Sequence, residues 1–190
     1  MYKAINASSA FLLMIDIQER LMPAIYNRDE IVNNAMKILT AARELSVPSI
    51  ISEQYPKGIG PTLPELKSLI PPDTTIMDKV EFSCCESPKF GDAFLNLTLF
   101  GSETKDTAIL FGVETHICVL ATALDIIDKY KFNVVIAADA CGSRTEQNHK
   151  LALEAARSAG CFVVPTETII YQMLRKAGTP EFKALLPLFK

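Results

Sequence analysis

The sequence predicts an α/β protein, in which a parallel sheet carries helices on both faces. Two observations lead to this prediction. Short, unbroken apolar runs, typical of strands covered on both sides, alternate with longer segments whose apolar residues recur at helical spacing. Crossovers between parallel strands are right-handed, so each helix packs back onto the sheet. With 190 residues, of which 49% are apolar, we expect one domain spanning residues 1–190.

Six strands are predicted, and three of them end at residues that could carry chemistry. The first is an apolar run that ends at Asp16, the third is followed by Lys79, and the fourth, which Gly112 ends, is followed by Cys118. The fifth is predicted to end at Asp139. The predicted strands cover residues 9–17, 47–52, 74–77, 108–111, 133–138 and 161–164.

The segments between the strands predict helices, apart from a loop rich in Gly and Pro at residues 53–64. Helices are predicted at residues 28–45, 63–69, 90–100, 146–159, 167–176 and 180–189. A further helix follows the fourth strand, and Cys118 lies near its N-terminus. The expected apolar face of that helix consists of Ile117, Leu120, Ala121, Leu124 and Ile127.

Composition excludes several classes of protein. The net charge of -3 gives no electrostatic reason to expect a nucleic-acid partner, and no apolar run is long enough to cross a bilayer. Five cysteines, an odd number without regular spacing, argue against a disulfide framework and indicate a reducing compartment. We therefore expect an intracellular protein, with the cytoplasm favoured over the mitochondrion. Residues 1–9 are too few for a leader before the first strand.

Asp16, Lys79 and Cys118 stand at the carboxyl ends of predicted strands, where open α/β sheets bind ligands. A cysteine nucleophile needs a base and a nearby positive charge, which Asp16 and Lys79 could supply. The helix N-terminus would also favour a thiolate at Cys118. The alternatives are a loop aspartate, a solvated Lys79–Asp78 pair and a small core cysteine. The residues alone leave both interpretations open.

Several segments resemble the isochorismatase-like cysteine hydrolase family over most of the chain. They are LMIDIQ at residues 13–18, DKVEFS at 78–83 and GVETHICV at 112–119, followed by DAC at 139–141 with Ser143 and Arg144. The segment SEQYPKGIGPT at 52–62, with PEL at 64–66, resembles most closely the eukaryotic isochorismatase domain-containing proteins.

The resemblance implies a three-layer, doubly wound sheet of six parallel strands in the order 3-2-1-4-5-6. The first and fourth strands would be central neighbours, which brings Asp16 close to Cys118, while Lys79 reaches inward from an edge strand. By this resemblance Asp16 is the base, Lys79 lowers the pKa values of Asp16 and Cys118, and Cys118 attacks a carbonyl. The implied reaction is hydrolysis of a small amide or related C–N or carbonyl substrate through an acyl-enzyme thioester.

Further expectations follow from the same resemblance. The backbone N–H groups of Glu114 and Cys118 would form an oxyanion hole, and the Val113–Glu114 peptide would be cis. Gln18, Phe82 and Glu114 are the candidates for the substrate pocket. The protein would be a homo-oligomer, either a dimer or a tetramer.

The chain departs from the nicotinamidases of this superfamily, which carry an Asp-x-His metal motif after the second strand. Here Ser52 begins the sequence SEQY, and the two histidines, His116 and His149, lie elsewhere. We therefore expect no catalytic metal, no cofactor and a small-molecule substrate other than nicotinamide. Glu114 could face the site and select a cationic or hydrogen-bonding substrate, or it could face solvent or pair with Arg144.

Other functions and roles remain open. The chain could be a weak or inactive family member that acts as a binding or oligomeric scaffold. It could also be a nuclease, against which the acidic charge counts. His116 is interpreted as a hydrogen-bonded turn residue rather than a second proton shuttle, and His149 as a surface residue.

Overall fold

The computed structural model of the protein describes residues 4–99 and 104–190. Six strands form one all-parallel sheet in the order β3-β2-β1-β4-β5-β6, which confirms the predicted fold class. The strands are β1 (Ala10–Ile15), β2 (Ser49–Gln54), β3 (Thr75–Lys79), β4 (Thr107–Val113), β5 (Asn133–Gly142) and β6 (Phe162–Val164).

Helices cover both sides of the sheet. On one side α1 contacts α7 and α8, and on the other α5 contacts α6. The helices are α1 (Arg28–Glu44), α2 (Pro56–Ile59), α3 (Pro64–Lys67), α4 (Pro88–Leu99), α5 (Leu120–Asp125), α6 (Glu146–Ser158), α7 (Thr166–Leu174) and α8 (Pro180–Leu185). A π-helical turn, Thr115–Val119, leads from β4 into α5, and a second one, Ile126–Tyr130, follows α5. The helix predicted at residues 90–100 ends at position 100, which lies outside the described residues.

The core is centred on β1 and β4, the two middle strands. Every residue of both strands is buried, because helices cover both faces of the sheet. Phe11 of β1 packs edge-to-face against Phe94 and Phe132, with ring centroids 5.6 and 6.3 Å away. This pair of rigid strands carries the carboxyl ends at which the candidate residues lie.

Four strands, β2 to β5, end later than the sequence predicts, and the later ends of β3 and β5 bear on the candidate residues. Lys79 is the last residue of β3 rather than a residue after it. β5 continues past Asp139 to Gly142, because after a shift in register it pairs again with β4 at Gly112 and Val113. Asp139 accepts hydrogen bonds from the backbone N–H and the hydroxyl of Thr166, both at 2.7 Å, and so fixes the start of α7.

The predicted apolar face of the helix after β4 is wrong. Leu124 is 43% exposed, and Ile117, Leu120, Ala121 and Ile127 are only partly buried. The buried face instead contains Cys118, Val119, Thr122, Ala123 and Ile126. The π-helical first turn holds more residues than an α-helical turn, which rotates the following residues and turns Cys118 inward.

No helix within the described part of the chain has the length and apolar character needed to cross a membrane.

All five cysteines are free thiols, and burial raises the pKa of each. The pKa reaches about 11 for Cys84 and about 12 for Cys85, Cys118, Cys141 and Cys161. In the unfolded chain the same thiols would ionise near the ordinary cysteine pKa of 9.0. The folded state therefore holds more protons than the unfolded state above that pH.

This difference predicts alkaline instability. The free energy of unfolding should be unaffected by the thiols below about pH 9 and should fall as the pH rises from there towards about 12. Urea unfolding at a series of pH values measures the slope. Cys141→Val removes one buried thiol and should make the decline shallower. An unchanged slope in that variant would mean that Cys141 ionises as easily in the folded protein as in the unfolded chain.

Candidate active site

The junction between β1 and β4 brings two strand ends together. Asp16 follows β1 with a positive φ of 54°, and its backbone N–H donates to the carbonyl of Ser52 at 3.1 Å. Gly112 of β4 has a φ of 124°, and a Cβ there would lie 2.0 Å from the carbonyl oxygen of Ile15. Only glycine allows the backbones this close, so Gly112 lets β4 continue past the end of β1.

Lys79 and Asp16 form a buried ion pair. The Lys79 Nζ lies 2.7 Å from Asp16 Oδ2, and both side chains are 0% exposed. The lysine reaches inward from the edge strand β3, past β2, as the resemblance implies. Two charges so far from water are tolerated only when they are paired and hydrogen-bonded.

Each N–H of the Lys79 ammonium has an acceptor within reach. Besides Asp16, it donates to Gln54 Oε1 at 2.6 Å and to the carbonyl of Glu81 at 3.2 Å. An ammonium has three donors, so these three acceptors satisfy it. Burial is the largest single influence on the pKa of Lys79 and would lower it, but the charge and hydrogen bond of Asp16, together with Cys84 and Cys118, outweigh burial and raise the pKa. Lys79 is therefore a cation at neutral pH.

Ser52 binds the other carboxylate oxygen of Asp16, because its hydroxyl donates a hydrogen bond to Oδ1 at 2.7 Å. Burial raises the pKa of Asp16, and the hydrogen bonds and charge of Lys79, together with Ser52 and Cys118, oppose that rise. The resemblance implied that Lys79 lowers this pKa. It does act in that direction, but burial has the larger effect. A carboxylate whose pKa is raised is a better proton acceptor for a thiol.

Cys118 lies in the first, π-helical turn after β4 and is 7% exposed. Asp16 and Lys79 are the charged groups that act most strongly on its thiol. The pKa of Cys118 rises to about 12, first because of burial and then because of the negative charge of Asp16, while Lys79 lowers it only in part. The expectation of a stabilised thiolate is therefore wrong for this state of the protein, in which Cys118 is a neutral thiol beside a carboxylate.

The turn that carries Cys118 is fixed by hydrogen bonds on both sides. The carbonyl of Glu114 accepts from the N–H groups of Ile117 and Val119, and the Val113–Glu114 peptide is cis. His116 Nδ1 lies 3.0 Å from the hydroxyl of Ser143, and Thr115 Oγ1 lies 2.9 Å from His149 Nδ1. His116 is thus a hydrogen-bonded turn residue, while His149, interpreted from sequence as a surface residue, is half-buried and supports the turn.

Of the two orientations left open for Glu114, the structure has the ion pair with Arg144. Glu114 Oε2 accepts from both the backbone N–H and the Nε of Arg144, each at 3.1 Å. The Glu114 side chain is 8% exposed and that of Arg144 is 58% exposed. The charge of Glu114 is therefore balanced beside the turn that carries Cys118.

The other two pocket candidates lie in different surroundings. Gln18 is buried, and its amide bonds only to backbone: Nε2 donates to the carbonyls of Gln54 at 3.0 Å and Gly60 at 2.6 Å, and Oε1 accepts from the N–H of Gln54 at 2.7 Å. This arrangement holds the loop after β2. Phe82 is 64% exposed, three residues after Lys79, where its ring could contact a bound molecule.

Sequence reasoning missed three residues at this site. Ser52 holds Asp16 and Gln54 holds Lys79, although both had been interpreted only as marks of a family subgroup. Cys84 is wholly buried, and its backbone N–H donates at 2.9 Å to the hydroxyl of Thr122, one helical turn after Cys118. The alternation of polar residues at the end of β2 was the only sequence signal for the first two.

The donor set does not favour a metal ion. Among residues 4–99 and 104–190, no three His, Cys, Asp or Glu side chains group together where one ion could bind them all. The Asp16 carboxylate is already occupied by an ammonium and a hydroxyl. The arrangement is suited instead to moving a proton from a thiol to a carboxylate.

Comparison with known proteins agrees with the resemblance seen in the sequence. The family model described as the isochorismatase domain matches residues 10–168. The isochorismatase domain-containing protein 2A of Mus musculus is 34% identical over 96% of this chain and 83% of its own length. The isochorismatase domain-containing protein 2 of Xenopus laevis is 37% identical over 92% of this chain and 80% of its own length.

A solved structure is similar over almost the whole chain. The MAR1 ribonuclease of Caenorhabditis elegans superposes with a TM-score of 0.89 at 33% sequence identity, covering 98% of this chain and 92% of that one.

The effect of Asp16 on Cys118 predicts an unusual pH dependence of thiol reactivity. If Asp16 is the base for Cys118, then below its pKa of about 12 the thiol would form a thiolate by passing its proton to Asp16, a transfer that does not depend on solvent pH. The rate constant for alkylation of Cys118 by iodoacetamide should therefore be flat across the neutral range. In Asp16→Asn it should rise about tenfold per pH unit, as for an isolated thiol.

Mass spectrometry of the alkylated peptides measures each cysteine separately. Cys85 is the internal control, because its pKa is also about 12 but Ser83 is its hydrogen-bond partner. It should show the ordinary rise with pH in both proteins. A Cys118 profile with the same slope in parent and Asp16→Asn would contradict proton transfer to Asp16.

The buried ion pair also predicts a large loss of stability in Lys79→Met. Removing the lysine leaves a buried carboxylate without its counter-charge, which typically costs about 3–5 kcal/mol of unfolding free energy. The double variant Asp16→Asn with Lys79→Met should recover part of that loss. Lys89→Met, which breaks the solvent-exposed ion pair with Asp78, is the matched control and should change the urea midpoint little. Equal losses in the two lysine variants would refute the importance of the buried pair.

Proposed function

The chain belongs to the isochorismatase family, and we propose that it is a metal-independent cysteine hydrolase that cleaves a small amide or a related C–N or carbonyl substrate. Asp16, Lys79 and Cys118 would be its catalytic triad. The observation that supports this proposal most is the buried Asp16–Lys79 ion pair, at 2.7 Å, whose two charges both act on the pKa of the Cys118 thiol. A charged pair this far from water is costly to keep, and it acts on a cysteine that needs a base.

In the acylation step, the Cys118 sulfur forms a bond to the carbonyl carbon while its proton moves to Asp16. The developing oxyanion would accept hydrogen bonds from the backbone N–H groups of Glu114 and Cys118. The C–N bond then breaks, and Asp16 returns the proton to the leaving amine. The product of this step is a thioester on Cys118 and a free amine.

In the deacylation step, Asp16 takes a proton from water as the water oxygen attacks the thioester carbon. The C–S bond breaks, Cys118 recovers its proton from Asp16, and the carboxylic acid leaves. Lys79 remains a cation throughout. It stabilises the Asp16 carboxylate before each proton transfer, and it holds the carboxylate in place through the bond at 2.7 Å.

Two features of the site explain why the proposal needs no metal. The end of β2 carries Ser52, Glu53 and Gln54 where nicotinamidases carry the Asp-x-His motif, and each of these side chains is engaged within the protein. Nucleophile and base are both supplied by side chains. Dialysis against a chelator should therefore leave the rate unchanged.

Hydrolysis is tested with a panel of small primary amides and N-carbamoyl compounds. We expect release of ammonia or amine, together with an acyl adduct on Cys118 in intact-protein mass spectra. Cys118→Ala should lower kcat/KM on the order of 10³-fold or more, because the covalent step is lost. Cys85→Ser is the matched control and should retain turnover. Turnover that survives in Cys118→Ala would contradict the proposed mechanism.

The second candidate is a binding or assembly role in a weakly active family member. Three observations favour it, of which the first two are that the Cys118 thiol has a pKa of about 12 and is only 7% exposed. The helix after β4 also presents a partly covered apolar face, with Leu124 43% exposed, which a dimer or tetramer would cover. Compounds of the same panel that raise Tm without being turned over, even over long incubation, would support this candidate against hydrolysis.

A nuclease is the third candidate, favoured by the likeness to the MAR1 ribonuclease of Caenorhabditis elegans, which is 33% identical. The net charge of -3 counts against it, because RNA binding depends on phosphate contacts with Lys and Arg. Incubation with labelled RNA tests it directly. Cleavage that is lost in Asp16→Asn and that weakens steeply with salt would favour this candidate over the amide hydrolase.

A further inference from the structure

β2 lies between the two strands that supply the charged members of the proposed triad. Its neighbour β1 ends next to Asp16, and its other neighbour β3 ends at Lys79. Ser52 and Gln54 are two residues apart on β2, so their side chains leave the same face of the sheet. From that face, each reaches one of the two charged groups.

The contacts divide cleanly between the two side chains. The Ser52 hydroxyl donates to Asp16 Oδ1 at 2.7 Å, and the side-chain oxygen Oε1 of Gln54 accepts from Lys79 Nζ at 2.6 Å. Gln54 is itself fixed, because its Nε2 donates to the carbonyl of Val80 at 2.9 Å and its backbone bonds to Gln18. The ion pair between Asp16 and Lys79 is thus held from both ends by one strand.

We propose that Ser52 and Gln54 are positioning residues of the active site: Ser52 keeps the Asp16 carboxylate ionised and aimed at Cys118, and Gln54 keeps the Lys79 ammonium aimed at Asp16. This inference rests on the proposed function, since it assigns these residues to a catalytic base and its counter-ion. It goes beyond the triad, because it makes the proton affinity of the base a property set by a neutral side chain on a neighbouring strand.

The sign of the effect follows from the hydrogen bond of Ser52. A donor to a carboxylate stabilises its charged form and lowers its pKa. Asp16 is wholly buried, so water cannot replace a lost donor without rearrangement. Removing the hydroxyl should therefore raise the pKa of Asp16. As the pH falls, the Asp16 carboxylate should become protonated at a higher pH than in the parent protein.

Other titratable groups face Asp16 and must be told apart from Ser52. They are Lys79 from β3, Cys118 from the turn after β4, and Cys84 from the turn Cys84–Glu86. Ser52 also acts on the pKa of the Cys84 thiol. The variant Cys84→Ser keeps a hydrogen-bonding group there and shows whether that thiol contributes to the titration.

The test is a pH titration of the Asp16 carboxyl carbon by ¹³C NMR in protein labelled at aspartate, with the resonance assigned by its loss in Asp16→Asn. Ser52→Ala should move the midpoint to higher pH, and Ser52→Thr, which keeps the hydroxyl, should return it to the parent position. Ser49→Ala is the matched control: it removes a buried serine hydroxyl from the same strand, where the hydroxyl bonds to the carbonyl of Val47. It should leave the midpoint in place.

Gln54→Leu tests the other half of the proposal. It removes an acceptor of the Lys79 ammonium but leaves Ser52 on Asp16. The ammonium protons of Lys79, followed by ¹⁵N NMR, should exchange with water faster than in the parent. Exchange that stays at the parent rate would overturn the role of Gln54.

The two NMR readouts do not depend on turnover, so they separate this inference from the proposed function. A midpoint for Asp16 that is unchanged in Ser52→Ala, or moved as far by Ser49→Ala, would overturn the role of Ser52 whatever Cys118 does. If the midpoint moves as expected but the alkylation rate of Cys118 is the same in parent and Asp16→Asn, the positioning role of Ser52 is supported and the cysteine mechanism is contradicted.

Discussion

The buried ion pair between Asp16 and Lys79 is the constraint on which the rest of the site depends. Two charged side chains that are 0% exposed require full hydrogen bonding, or the desolvation cost would exceed their attraction. The pair joins the end of the central strand β1 to the end of the edge strand β3. The strand between them, β2, must therefore be polar where the Lys79 side chain passes it. That requirement accounts for Ser52 and Gln54 at the end of β2, whose first four residues are buried like the rest of the sheet.

The same pair decides the state of the nucleophile. A thiolate at Cys118 would face the Asp16 carboxylate in a dry site, and like charges at that distance disfavour each other. In the proposed mechanism the proton would therefore stay on sulfur until an electrophile is present to accept the electron pair, and Asp16 would then take the proton as the bond forms. Cys118 would be unreactive between turnovers, and the substrate would complete its activation. It also explains how a helix N-terminus and a nearby lysine can coexist with a pKa of about 12.

Sequence reasoning located the candidate residues at the ends of strands, but it missed the features that depend on tertiary packing. Asp16, Lys79 and Cys118 follow apolar runs, so their shared edge could be predicted, and the sheet order followed from the family resemblance. The pKa of Cys118 could not be predicted, because the sequence indicates a helix N-terminus but not the burial of the thiol. The face of the helix after β4 was also predicted wrongly, since a π-helical turn leaves no plain periodic signal and displaced Leu124 to the surface.

Charge balance at the site bears on the choice among substrates. The charged side chains described around Cys118 occur in pairs of opposite sign, with Asp16 bound to Lys79 and Glu114 bound to Arg144. The thiol itself is neutral. A carboxylate or phosphodiester would have to displace one of these partners to gain a counter-charge, and breaking the buried pair would expose Asp16 to the full cost of desolvation. An uncharged amide makes no such demand, and its polar carbonyl needs only N–H donors. The balance of charges therefore favours a neutral C–N substrate over a nucleic acid, for the same reason that the ion pair is stable at all.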